Sequence, residues 1–278
     1  MAPRFRMDQI GSLIRPHSLL NARKDLDVYS GELSEAQLAA TKEAIAQAVQ
    51  KQLDLSIRPI TSGEYERTGF FSGFFESLDG MQVNRHFQIP EDFRTELPTT
   101  QHMAKLGVNT FPAVVAKGKI KHVAPAYVSG WNMLKGTIPP HLWKDCKITM
   151  PSITWQHMQL APGVAYSPNV YKTDAEYLSD LAAAFRREVQ MLYDEGLRSI
   201  QVDDPHLTRT LSRKISRTAF NRTARTQTRF WIYTYGHITR LSKTVPRTYT
   251  WAFTSAEGTY LAPVDSWKDL TTALQRRS

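Results

Sequence analysis

Two segments have an unmistakable helical period. Between Gly31 and Leu55, the apolar residues Leu38, Ile45, Val49 and Leu53 fall on one stripe, and Ser34 stands as an N-cap with acidic Glu35 behind it. Between Asp174 and Gly196, residues Tyr177, Leu181, Ala184, Phe185, Val189 and Leu192 recur every three to four positions, and Gly196 suits the position just past a helix end. Shorter apolar runs read as strands. Residues 8–25 predict a short strand, a turn at Gly11-Ser12 and a short helix. Residues 57–67 predict a strand that ends in a polar loop. Residues 118–130 hold one or two strands, and 145–160 open on an apolar strand that breaks at Pro151. Residues 197–205 predict a strand with carboxylates at its C-terminal end. Strands that alternate with helices and end in polar turns predict parallel βαβ units, an α/β fold and, at this length, a TIM-barrel type of architecture.

This order stops near Thr208. Of the 278 residues, 209–278 hold 13 Lys+Arg against 3 Asp+Glu, leaving 22 against 23 for residues 1–208, so the net charge of +9 belongs to the tail. No acidic residue occurs between 209 and 256, and Arg and Thr replace any apolar period. The reading is therefore an incomplete barrel over 1–208 and a basic, irregular tail over 209–278. Hydrophobic content of 41% suffices for a core. No run reaches the ~18 apolar residues of a membrane span. Met1 to Met7 lack the apolar stretch of a secretory signal. A single cysteine, Cys146, excludes an internal disulfide framework and fits a reducing, cytoplasmic setting.

Three polar clusters lie at predicted strand ends: Ile10-Gly11-Ser12, Ser62 to Arg67, and Gln201 to Pro205. A barrel gathers such ends on one rim. Backbone N–H groups at Gly11-Ser12 suit a carboxylate. Glu64 and Asp203 suit an ammonium group. Together they fit the two charged groups of an α-amino acid. The plainer reading pairs Glu64 with a neighbour such as Arg67 and uses Asp203 or Asp204 to cap a following helix.

The strings "DQIGSLIRP", "SGEYER", "MPSITWQHM" and "YLSDLAAAFRREVQMLYDEGLRSIQVDDPHL" resemble, in order over about residues 7–208, the C-terminal catalytic domain of cobalamin-independent methionine synthase. That domain shares a superfamily with uroporphyrinogen decarboxylase. The resemblance implies a (β/α)8 barrel that moves a methyl group from methyltetrahydrofolate to the thiol of homocysteine, with zinc activating the thiol. It implies that Ile10, Gly11 and Ser12 hold the substrate carboxylate and that Glu64 and Asp203 hold its amine. It places Trp155 in a segment that contacts folate. Zinc explains the chemistry, because a thiol with a pKa of about 8.5 is a weak nucleophile at neutral pH and a metal-bound one is deprotonated. The small-molecule partners implied are a homocysteine-like thiol and a folate, with no membrane.

The family's zinc ligands begin with a His-x-Cys pair beyond the second acidic cluster. This sequence has no His-x-Cys, and Cys146 lies before that cluster in an apolar run, as a small core residue does. No metal ligand is therefore assigned. In place of the family's segment close to "RPxDLHVGLHLCRGN", the tail reads "VPRTYTWAFTSAEGTY" over 245–260. Read from the third base of the Trp251 codon, codons compatible with that string spell Gly-Leu-His-Leu-Cys-Arg-Gly-Asn. The tail is thus expected to be an out-of-frame reading of the family's C-terminal third, and the chain as written is expected to be inactive.

Two other readings compete. A zinc-free, decarboxylase-like barrel would use arginines such as Arg4, Arg6 and Arg15 for substrate carboxylates. A nucleic-acid-binding module would use the basic tail, where Phe220, Phe230, Trp231, Tyr233 and Tyr235 interleave with Arg. It lacks a recognition helix or finger spacing. His86, His102, His122, His141 and His157 show no metal-ligand spacing, His206 follows the acidic cluster at the rim, and "FFSGFFESLDGM" is either a pocket cover, an oligomer contact or packed insertion.

Overall fold

The computed structural model describes residues 9–204 and the backbone of 250–255 and 258–263. In chain order the elements are α1 (His17–Ala22), α2 (Glu35–Asp54), a 3-10 turn (Phe75–Ser77), β1 (Asp79–Gln88), α3 (Pro98–Lys105), β2 (Thr110–Lys121), α4 (Val128–Lys135), a second 3-10 turn (Pro140–Asp145), β3 (Ile148–Pro151), α5 (Trp155–Gln159), α6 (Asp174–Asp194), β4 (Ser199–Asp203), β5 (Thr250–Ser255) and β6 (Gly258–Pro263).

Both predicted helices form. Ser34 caps α2 through a reciprocal box: its hydroxyl accepts from the Gln37 amide, and the Gln37 side chain accepts from the Ser34 amide. Ala44, Ile45 and Val49 are buried on the stripe. In α6 the Thr173 side chain caps the N-terminus, accepting from the Glu176 amide. Its apolar face buries Tyr177, Leu181, Phe185, Val189 and Leu192. Gly196, just past the end, has φ +96°, which an L side chain adopts only with strain.

A four-stranded sheet follows the order β3-β4-β5-β6, with β3, β4 and β5 parallel and β6 antiparallel. Ile60 adds a single parallel bridge to Cys146 at the β3 edge. The strand expected at 57–67 shrinks to that bridge because a side chain takes over its backbone. The Gln52 amide, from α2, donates to the Thr61 carbonyl and accepts from the Thr61 N–H, both at 2.9 Å. Residues 9–16 form no strand either, and residues 1–8 lie outside the described residues. The second sheet is an antiparallel pair, β1 with β2, whose Val114 to Ala116 are buried and which packs against α6. A closed barrel is not formed by the described residues.

Most of the basic tail lies outside the described residues, as does His206. Within it, Thr250–Ser255 continues the parallel sheet, with Trp251 opposite Ile200 and Phe253 opposite Val202. Thr, Trp and Phe are good strand formers, so this short piece pairs despite the lack of a longer period.

Candidate functional site

The strand faces carry the site. Along β3 and the residue before it, Lys147 and Thr149 alternate with Ile148 and Met150. Along β4, Gln201 and Asp203 alternate with Ile200 and Val202. In a strand, alternate residues share a face. Thr149 pairs with Gln201 and Pro151 with Asp203, so four polar side chains lie on one side of the sheet while the apolar set joins the core. All four polar residues are buried.

A turn at the end of the Ile60 bridge supplies the carboxylate. Gly63 and Glu64 both adopt left-handed backbone, φ +68° and +59°. A non-glycine residue there stores strain that its surroundings must hold. The holding groups are explicit. Ser62 and Thr61 hydroxyls accept from the Glu64 and Gly63 amides. Arg15 donates to the carbonyls of Glu64, Arg67 and Thr68, and Arg23 donates to the Tyr65 carbonyl. The segment before α1 is tied to the same turn, with Leu13 N–H on the Gly63 carbonyl at 3.1 Å and the Tyr65 hydroxyl on the Ile14 carbonyl at 2.6 Å.

Glu64 sits at the centre. Ser12 Oγ donates to its Oε2 at 2.5 Å, and Thr149 Oγ1 donates to its Oε1 at 2.5 Å. Arg67 Nη2 lies 3.3 Å from Oε1. Arg67 is itself buried and donates to the carbonyls of Thr149 and Phe70. Burial opposes its charge, but Tyr127, Glu64, Glu66 and Asp203 outweigh that and hold the guanidinium firmly protonated. On the other flank, Gln201 donates to Asp203 Oδ1 at 2.6 Å and to the Ile10 carbonyl. Asp203 and Asp204 tie the end of β4 to the residues just before α5: the Ser152 amide donates to the Asp203 carbonyl, and Thr154 donates to an Asp204 carboxylate oxygen.

The structure thus brings Ile10, Ser12, Glu64 and Asp203 together, with Gly11 between the first two. Ile10 is half exposed, and Gly11 and Ser12 are exposed, so this side is the mouth. Open space surrounds the position a Gly11 side chain would take. Trp155 belongs to a different element. It starts α5, and its amide donates to the Ser152 carbonyl. Its ring stacks on Phe71 at 5.0 Å and meets Phe70 edge-on at 4.9 Å. The pairing of Glu64 with Arg67 is present alongside the Ser12 contact. Asp204 accepts from Thr154, the residue that precedes α5; a helix following Asp204 lies outside the described residues. The aromatic insertion packs as Phe74 and Phe75 into the core, with Phe70 and Phe71 under Trp155. Sequence reasoning missed Lys147 and Thr149, and gave Gln201 a place in a cluster but no role. Their signal was a polar residue at every second position of two otherwise apolar strands.

Zinc does not fit what is described. Among the described residues no three His, Cys, Asp or Glu side chains are grouped to hold a metal ion. Cys146 is buried, its thiol lies against the Leu142 carbonyl, and burial followed by the nearby Asp145 charge pushes its pKa up to about 12. A thiol held protonated in this way is a poor metal ligand. No described helix is long and apolar enough to cross a membrane.

No protein-family model matches the chain. The uncharacterized protein YxjH of Bacillus subtilis is 27% identical over 207 residues, which cover 72% of this chain and 48% of that protein. A methionine synthase of Sulfolobus acidocaldarius is 24% identical over 202 residues, 70% of this chain and 50% of that one. The chain therefore spans about half the length of these curated relatives. Among solved structures, a candidate vitamin-B12-independent methionine synthase of Listeria monocytogenes superposes with a TM-score of 0.61 at 23% identity, covering 94% of this chain and 68% of that one. A B12-independent methionine synthase of Shewanella sp. W3-18-1, solved with selenomethionine, gives 0.59 at 16% identity, over 94% and 64%. The fold is that of methionine-synthase-like proteins.

Proposed function

We propose that this chain is an incomplete methionine-synthase-like barrel that keeps the amino-acid half of a substrate site and lacks the donors that activate the thiol. The observation that carries the reading is the convergence of Ser12, Glu64 and Asp203, from segments 52 and 191 residues apart, around a mouth lined by Ile10 and Gly11. Backbone amides at Gly11 and Ser12 take the α-carboxylate. Glu64 and Asp203 take the α-amine, while Arg67 keeps the carboxylate pair from excess repulsion. The selenomethionine in the Shewanella neighbour supports an amino acid of the methionine class. Trp155, on its stack with Phe71, is the candidate surface for the flat ring of a folate donor. The complete reaction is methyl transfer from methyltetrahydrofolate to a homocysteine-like thiol.

The tail is read as an out-of-frame translation of the missing part. The sequence matches extend over 202–207 residues, close to the length of the stretch before the composition break, which supports this. The transcript sequence across codon 208 tests it. One base more or fewer there restores a His-x-Cys segment; a message that confirms the tail as written refutes the offset. The protein itself gives the second test. It is expected to bind L-homocysteine in equilibrium dialysis yet show no methyl transfer with or without added zinc. Turnover that zinc restores would show that the donors are present after all. Of the arginines the decarboxylase reading would use, Arg15 is spent on three backbone carbonyls, and Arg4 and Arg6 lie outside the described residues.

A further inference from the structure

Beneath the acidic flank of the site lies a buried lysine. Lys147, 2% exposed, precedes β3. Its Nζ donates to the Gln9 carbonyl at 2.6 Å and to Gln201 Oε1 at 2.7 Å. A lysine ammonium donates and never accepts, so the Gln201 oxygen must face it. That fixes the other end of the amide. The two N–H bonds of Gln201 then point at the Ile10 carbonyl and Asp203 Oδ1, both acceptors. Turned around, the same amide would set its oxygen against two other oxygens. One donor therefore orients one amide, and that amide sets both a site carboxylate and the backbone that leads to Ser12.

We propose that Lys147 is a positioning residue for the amine-binding side of the site, acting through Gln201. Lys147 and Gln201 between them staple two consecutive carbonyls, Gln9 and Ile10, to the sheet, so the mouth segment and Asp203 are held together. The inference rests on the amino-acid reading for its affinity test, but its structural core can be tested without any ligand.

In the native protein labelled with 15N-glutamine, the Gln201 side-chain amide protons should exchange with solvent far more slowly than those of exposed glutamines. Exchange as fast as that of exposed glutamine side chains overturns the proposal outright. K147M should release that amide, and K147R, which keeps a donor, should retain it. Titration with L-methionine then reads the consequence. K147M is expected to weaken binding about tenfold, the size of one charged hydrogen bond, while the desamino analogue of methionine is unaffected. In a double-mutant cycle, K147M with Q201M should bind no more weakly than Q201M alone. Additive losses would mean that Lys147 meets the ligand directly, which overturns the relay. If the native chain binds neither L-methionine nor L-homocysteine, the site reading fails, and the amide signals of the native protein and K147M still decide the positioning role.

Discussion

Glu64 and Glu188 are both buried carboxylates with every oxygen engaged, yet they are built differently. Glu188 lies on the apolar face of α6 and is fully buried. Its Oε1 accepts the Tyr127 amide at 2.8 Å, and its Oε2 accepts the Ala126 amide at 2.9 Å beside His122 Nε2 at 2.6 Å. Two of those donors are backbone N–H groups at the start of α4, fixed by the helix and favoured by its dipole. Glu64 is held instead by two hydroxyls and a guanidinium, on a strained turn next to an exposed segment. Hydroxyls rotate, so they can re-aim when a ligand arrives. A carboxylate with fixed backbone donors is a bracket; one with rotatable donors at a mouth is a site.

That contrast predicts opposite consequences for the two residues. Removing Glu188 should have the largest effect on stability. E188A leaves two amides and His122 without their buried partner, and should cost about 3–5 kcal/mol in chemical denaturation, as broken buried pairs do. Glu64 should show the reverse balance. E64Q keeps the side chain's shape and should cost only about 1–2 kcal/mol, while L-methionine affinity falls at least about tenfold.

Asp174 offers a control outside both networks. Its hydrogen bond with His157 holds its pKa down at about 2, against an ordinary 3.8. A depressed carboxylate stabilises the fold above its unfolded pKa and loses that contribution as pH falls from about 4 to 2. The group is close to half exposed, so screening reduces the effect to about 1 kcal/mol. D174N should remove this acid-sensitive step and leave amino-acid affinity unchanged; a change in affinity would join this cluster to the site. The smallest effect belongs to Ser12. S12A should change stability by less than about 0.5 kcal/mol and weaken L-methionine about threefold.

The two long helices and the β3 and β4 strands were legible because periods of 3.6 and 2 leave their mark over many residues. Of the three polar clusters, only the one at 201–203 ends a strand; the other two reach it through the Ile60 bridge and through hydrogen bonds from Ser12 and Ile10. The strand at 57–67 was misread because a single glutamine on α2 replaces a ladder partner, and no local pattern announces that. The β1–β2 pair was half missed because β1 is mostly surface and lacks an alternating face. Lys147, Thr149 and Gln201 were visible as polar interruptions of apolar strands, but only the register between β3 and β4 turns those interruptions into one cluster. The Glu188 bracket was invisible: a lone acid on an apolar helical face gives no hint of the two amides it caps.

The most direct test of the central claim is a calorimetric titration of L-methionine into the native chain, E64Q and E188Q, with a chelator present throughout. The account predicts saturable binding to the native chain without metal, loss of most of that affinity in E64Q, and native affinity in whatever E188Q remains folded. Native-like affinity in E64Q, or binding that appears only when the chelator is replaced by zinc, would contradict it.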